Sequence, residues 1–353
     1  MRQRFSFLLV SFVLAVSSLR AQTGHFFPSD RFSSSLIACL CQDKEGSLWI
    51  GTDYGLNRFD GYAFQTFLHD EADSTSLQSN IIVCILADRD NHLWVGTSVG
   101  LDCFDPATAS FVHYSFPGGI QPRVSCLMQR RDGTIIVGTG GYGSYALMPD
   151  GKLQRQPLPD IGSYFFLFYE DSMGQLWASN YEDELYCFYG DQVEVFHTTL
   201  GNPRRIVELD GEMLVVCQHG IMGYRNGQTT TPDIDMSAIA DKDIIFTDAI
   251  TTERGNIYIG TRGQGLYRIS AMRPHRLEYV DATAPGIDLS TARVASMLCD
   301  RSGNLWLGCH RKGLLMVPQR PMQFSSWNFE NEGIRLGSTI SSVCEGDDGI
   351  VWC

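Results

Sequence analysis

Residues 81–114 read as four short strands separated by turns. IIVCILA (81–87) is an unbroken apolar run, the pattern of a strand covered on both faces. Asp88-Arg89-Asp90-Asn91 then turns the chain, and HLWVGT follows as a second strand. Ser98 to Gly100 turn it again, LDCF forms a third strand, and after Asp105-Pro106 the more polar SFVHY forms a fourth. No long apolar period of helical spacing interrupts this texture anywhere in the chain.

The central phrase of this unit returns. GSLWIGTDYGLNRF (46–59), NHLWVGTSVGLDCF (91–104), GNIYIGTRGQGLYRI (255–269) and GNLWLGCHRKGLLMV (303–317) share a glycine or asparagine turn, an apolar run with an aromatic anchor, and a second glycine turn. The anchors are Trp49, Trp94, Trp177, Tyr258, Trp306 and Trp352, with weaker copies at Ile136 and Leu214. They recur roughly every 40–45 residues, the interval of a β-propeller blade. One four-stranded sheet cannot cover both of its own faces, so neighbours must cover them, and the phrase repeats for that reason. The expected fold is all-β: a β-propeller of seven four-stranded blades plus the start of a further blade. Residues 22–330 are assigned to the propeller and 331–353 to the first strands of a truncated second one; an eight-bladed ring with a borrowed terminal strand is the alternative.

Composition refines this picture. Over 353 residues, hydrophobic content of 44% supplies a large core, and 35 glycines fit many tight turns. A net charge of −13 argues against a broad nucleic-acid footprint or a polybasic membrane patch. The N-terminus has Arg2 and Arg4, an apolar run from Phe5 to Val16, and small or polar residues to Ala21, the layout of a secretory signal peptide over 1–21. No other segment is apolar for long enough to span a bilayer. The 11 cysteines are an odd number spread along the chain, which does not suggest a disulfide framework. Cys39, Cys84 and Cys126 hold one fixed place ahead of their anchors, as do Ser296 and Ser342, so they read as buried packing residues. The pair Cys39 and Cys41 would point to one strand face, with no partner pair in sequence to make a metal site.

The motif D-x-x-G-x-L-W-I-G-T-x-x-G-L-x-x-F now supports a resemblance. In DKEGSLWIGTDYGLNRF, DRDNHLWVGTSVGLDCF and DRSGNLWLGCHRKGLLMV it resembles the two-component regulator propeller repeat. The resemblance runs over about residues 26–353, strongest in units one, two, six and seven. Unit three has Ile136 in place of Trp, unit four reads WASN, and unit five has Val216-Cys217 where others have Gly-Thr. It implies the periplasmic sensor of a hybrid two-component system that detects oligosaccharides and controls polysaccharide-utilisation genes. In that family two propellers precede a β-sandwich, a membrane helix, a histidine kinase and output domains, and the receptor works as a homodimer. The expectation is therefore a sensing fragment without kinase, receiver or DNA-binding part, non-enzymatic as it stands. A propeller lyase or hydrolase acting on polysaccharide, or a protein-interaction scaffold, are the alternatives.

No catalytic, metal or cofactor motif emerges. Gly138-Thr139-Gly140-Gly141-Tyr142-Gly143 matches a dinucleotide fingerprint but has strand text on both sides instead of a following helix. Asp88-Arg89-Asp90-Asn91 lacks the remaining ligands of a calcium loop. Ligand contacts are expected in the loops between second and third strands, whose contents differ between units. The candidates are Tyr54, Tyr142, Tyr181, Glu182, Asp183, His219, Arg262 and Arg311. Tyrosines can stack on sugar rings, the polar side chains can hydrogen-bond hydroxyls, and Arg262 or Arg311 can hold a uronic-acid carboxylate.

Overall fold

The computed structural model describes residues 24–156, 164–180, 182–190, 192–225, 227–240, 242–280, 288–318, 344–345 and 351–352. The signal-peptide reading, Tyr181, and nearly all of 331–353 fall outside them. Residues 1–319 and 320–353 are separate units. In the second, Cys344–Glu345 pairs antiparallel with Val351–Trp352.

The first unit holds seven four-stranded antiparallel sheets. Blade 1 is Ile37–Gln42, Leu48–Thr52, Gly55–Phe59 and Phe64–Phe67. Blades 2 to 6 repeat that order, with inner strands Ile82–Ala87, Val124–Gln129, Leu167–Glu170, Pro203–Leu209 and Phe246–Thr251. Every anchor from Trp49 to Trp306 lies on the second strand of its blade. Inner strands of successive blades touch all the way round, and the inner strand of blade 7, Arg293–Cys299, returns to that of blade 1, so the ring is closed.

Closure uses a strand the repeat pattern does not reveal. Blade 7 takes only three strands from its own stretch, ending at Val317. Its outer strand is His25–Pro28, paired antiparallel with Gly313–Met316. Phe27 stacks on Trp306 at 5.7 Å and meets Phe59 of blade 1 edge-on at 5.2 Å. The two ends of the ring are thus riveted by aromatic area as well as by main-chain bonds.

Seven buried clusters fill the seven blade interfaces. Trp49 packs with Ile82, Val95 and Phe104 of blade 2, and Trp306 packs with Phe27 of its own blade and with Ile37 and Ile50 of blade 1. Each motif residue has a physical task. Asp43, Asp88, Asp171 and Asp300 accept the indole N–H of Trp49, Trp94, Trp177 and Trp306 at 2.7, 2.9, 2.9 and 2.8 Å. The other carboxylate oxygen of each accepts a main-chain N–H that closes the first turn, as Ser47 does to Asp43 at 2.8 Å. One carboxylate therefore pins turn and anchor together. The threonine after the glycine does the same for the second turn. Thr52, Thr97, Thr139 and Thr261 donate to the carbonyls of Gly55, Gly100, Gly143 and Gly265 at 2.6–3.0 Å.

The second-strand glycine is a matter of space. A Cβ on Gly51 would lie 2.4 Å from Cys39 Sγ and 2.7 Å from Ile82 of the next blade; Gly96 meets Cys84 and Val124 the same way. The fixed-place cysteines are these packing residues. Burial pushes the Cys41 thiol up to about 11 and Cys126 to about 12, so they stay protonated. Cys41 Sγ also accepts the Ala87 N–H at 3.2 Å, across the interface from blade 1 to blade 2.

Gly96→Ala should therefore cost about 1–3 kcal/mol, the range for overpacking a tight core, read from the urea midpoint. A neutral effect would show that the interface can open. Acid should act through the turn carboxylates. Burial alone would raise Asp88, but the hydrogen bonds from Trp94 and His92 outweigh it and hold its carboxyl below 3.8. A depressed folded value means that its stabilisation is complete above the unfolded value and lost as pH falls through the folded one. Asp88→Asn should lower stability at neutral pH and flatten the acid limb of the stability curve; an unchanged limb would remove Asp88 from the account.

Candidate functional site

One face of the ring carries two sets of loops. The tips between second and third strands lean on the segments that enter the inner strands. The amides of Asp53, Ser98, Gly140, Gln218 and Arg262 donate to the carbonyls of Leu36, Ile81, Arg123, Asn202 and Ile245 at 2.8–3.3 Å. Gly55, Gly263 and Arg311 donate instead into the entry segment of the following blade, to Asn80, Ala292 and Ser35. Both loop sets thus belong to one face, held by main-chain bonds whatever their side chains are. Because the inner strands surround the axis, the residues that open them lie at the channel mouth.

The mouth has two kinds of rim. On blades 1 and 3, Tyr54 and Tyr142 are 56% and 48% exposed, and Tyr164, at the entry to blade 4, is 54% exposed. The Tyr164 ring lies over Gly140 and Gly141, where a Cβ would come within 3.3 and 3.6 Å of it. The glycine string 138–143 is thereby accounted for: Gly138 faces Cys126 and Phe168, Gly140 and Gly141 seat a tyrosine, and strands Ile135–Thr139 and Ser144–Leu147 flank it.

On blades 5 to 7 the rim is cationic. Arg204 is the second residue of the inner strand of blade 5, Arg262 is at the loop tip of blade 6, and Arg293 opens the inner strand of blade 7. Arg262 and Arg293 are antiparallel bridge partners. His310 and Arg311 of blade 7 adjoin them. Burial, then Arg293 and Arg311, push His310 below 6.5, with Asp53 opposing and Arg262 adding to the effect. Burial, then Arg262 and Arg204, also lower Arg293. Deeper in the channel wall, Arg205 is neutralised by Asp248 at 2.6 Å, and the second Asp248 oxygen accepts the Met297 amide at 2.8 Å.

Of the sequence candidates, Tyr54, Tyr142, Glu182, Asp183, His219, Arg262 and Arg311 lie in the loops of this face and are exposed. Arg262 and Arg311 come together with His310. His219 lies 3.9 Å from Asp243, and Asp183, at φ 57°, receives its contacts through its main chain. Sequence reasoning missed Arg204 and Arg293, in the first two residues of their inner strands, and Tyr164, in the segment that enters one. Their signal was positional: Arg123 and Arg293 occupy the entry of an inner strand, ahead of Ile136 and Trp306. Asp88, Asp90 and His92 also approach one another on blade 2. Both Asp88 oxygens there already accept from Trp94, His92 and Asp90.

The description "two component regulator propeller" matches residues 31–54 and 76–98, which run from the entry segments of blades 1 and 2 to their loop tips. The repeats of blades 1 and 2 thus match the two-component regulator propeller repeat. A 78-residue stretch is 45% identical to histidine kinase P4 of Formosa agariphila, covering 21% of this chain and 6% of that protein. The chain also superposes on solved structures. The extracellular domain of a putative hybrid two-component system of B. thetaiotaomicron aligns with TM-score 0.71 at 20% identity, over 94% of this chain and 46% of that one. A second such domain from the same organism gives 0.66 at 18%, over 85% and 43%. Virginiamycin B lyase of Staphylococcus aureus gives 0.65 at 12%, over 83% of this chain and 97% of the enzyme. At these identities the structures show the β-propeller fold. The chain spans less than half of the two-component extracellular domains it matches. Among its described residues no helix is long and apolar enough to cross a membrane.

The electrostatics of the mouth can be checked directly. Arg293→Gln should move the His310 titration, followed by ring-proton NMR, upward toward 6.5 by removing the nearest opposing charge. An unmoved titration would separate His310 from the arginine rim.

Proposed function

We propose that this chain is the ligand-sensing propeller of an exported hybrid two-component receptor, and that the mouth between its loop tips and entry segments recognises an oligosaccharide. The two-sided rim carries the reading. Tyrosines on blades 1, 3 and 4 offer flat apolar faces for sugar rings, and the opposite rim offers hydrogen-bond donors without internal acceptors competing for all of them. The repeats support the receptor context, as do the relatives, a histidine kinase and the extracellular domains of putative hybrid two-component systems. The layout of residues 1–21 supports a periplasmic location. In the intact receptor the propeller belongs to a homodimer whose kinase and output parts control polysaccharide-utilisation genes.

A lyase of the same fold keeps an enzymatic reading in view. Turnover requires a proton donor and acceptor facing one substrate, whereas the titratable groups gathered most closely at this mouth are guanidiniums. That arrangement holds a ligand better than it moves a proton.

Thermal-shift and calorimetric titration of the chain against plant, host-mucin and microbial oligosaccharides tests the proposal. A ligand bound only by the folded state raises the melting temperature. One sugar family should do so without being consumed, and Tyr142→Ala should weaken it by about 1 kcal/mol, the scale of one aromatic contact. Product formation would establish the enzyme instead. Silence across the panel from folded protein would remove the oligosaccharide reading.

A further inference from the structure

The cationic rim is costly as it stands. Arg204, Arg262, Arg293 and Arg311 converge from three blades of a protein whose net charge is −13. Among the described residues, none of the four forms an ion pair, although other arginines do: Arg130 with Glu170, Arg205 with Asp248, Arg225 with Glu212 and Arg268 with Glu278. Arg204 makes a 3.3 Å bond from one terminal nitrogen to Gln218, while its Nε is buried and has no partner. Buried donors in folded proteins are nearly always satisfied. Burial and mutual repulsion lower Arg293, the sign of a site that favours removing positive charge or adding negative charge. The carboxylates nearby are committed or remote from the cluster. Asp248 is taken by Arg205 and Met297, Asp53 accepts from Ser34 Oγ at 2.6 Å and faces His310, and Asp243 is turned toward His219.

Resting on the oligosaccharide reading, we infer that the guanidiniums of Arg204, Arg262 and Arg293, with Arg311 at the edge, form an oxyanion site for an acidic sugar. The carboxylate of a uronic acid or a sulfate ester would be held there while neighbouring rings run toward the tyrosine rim. Guanidiniums match both groups, because planar paired N–H donors meet two oxygens of one anion. The inference selects acidic over neutral oligosaccharides. It also places the anion on the axis side of blades 5 to 7, not at the loop tips of blades 1 to 4.

Calorimetry on the full chain decides it, with four probes: trigalacturonate, its carboxyl-reduced neutral counterpart, a sulfated glycosaminoglycan disaccharide, and inorganic sulfate. At least one acidic sugar should bind, and which one identifies the oxyanion; the neutral counterpart should not match it. Affinity should fall as NaCl is raised. Arg293→Gln and Arg262→Gln should each weaken the acidic sugar at least about tenfold, the loss expected for one hydrogen bond to a charged group. Neither substitution should lower the melting temperature of the unliganded chain, since each removes repulsion and no ion pair. Equal binding of neutral and acidic sugars, or unchanged affinity in both variants, would overturn the anion site while leaving a sugar sensor standing. Arginine-dependent binding of inorganic sulfate alone would keep the anion site and remove the oligosaccharide. No binding of either acidic sugar or of sulfate would overturn the inference.

Discussion

The structure depends on how closely one blade can approach the next. That distance is set where the second strand of a blade runs under the inner strand of its neighbour, and glycine occupies this position in blades 1, 2, 3, 6 and 7. Missing the Cβ, Gly51, Gly96, Gly138, Gly260 and Gly308 let Ile82, Val124, Phe168, Val294 and Ile37 close to contact. Because interiors pack at crystal-like density, a methyl group here is a displacement of a whole sheet. The anchors fill the space beyond, and the turn carboxylates hold the anchors. Blades 4 and 5 have Ser179 and Val216 instead. Ser179 Oγ is buried without a partner, a polar group tolerated where the usual glycine would bury nothing.

A second set of contacts keeps the opposite face in register. The residue after the turn aspartate is often cationic and reaches the next blade. Lys44 donates to the Arg89 carbonyl, Arg89 to those of Arg130 and Arg131, Arg131 to that of Ser172, and Arg301 to those of Asp43 and Lys44. The chain of stitches runs from blade 7 through blade 1 to blade 4. Blade 5 replaces the longer turn with Asp210-Gly211, both at positive φ, and offers no such turn. A cavity of about 370 Å³ lies there, lined by Met173, Gln175, Tyr189, Met213 and Tyr224 among others. Arginine thus differs between the two faces: on one Arg89, Arg131 and Arg301 satisfy carbonyls, and at the mouth the donors of Arg204, Arg262 and Arg293 form no ion pair among the described residues.

Most of the fold was legible because main-chain constraints write themselves into residue identity. A glycine that must lack a Cβ, a threonine that must cap a turn and an aspartate that must receive an indole are all visible in one chain. The closing strand His25–Pro28 was not legible, because an outer strand needs only one covered face and its text carries no anchor. The mouth was half legible. Arg262 and Arg311 follow the repeat phrase directly, so counting from the anchors finds them. Arg293 and Tyr164 stand at one fixed interval ahead of the anchors Trp306 and Trp177, so their place could be counted backwards, but only the closed ring brings them and Arg204 beside the loop tips.

That closure has a consequence for sensing. Arg204, Arg262 and Arg293 belong to three successive blades, and the last of these is the blade completed by the chain's own N-terminal strand. An anion shared among them would replace mutual repulsion by a common attraction, so that ligand occupancy and ring closure would reinforce each other by linkage. The loop tips themselves are tied to the entry segments by main-chain bonds and have little freedom to swing. What a ligand at this mouth can change is therefore the spacing and rigidity of blades 5 to 7 as bodies. Every sheet is packed against its neighbours at crystal-like density, so a change in the spacing of blades 5 to 7 would be met at once by the blades beside them.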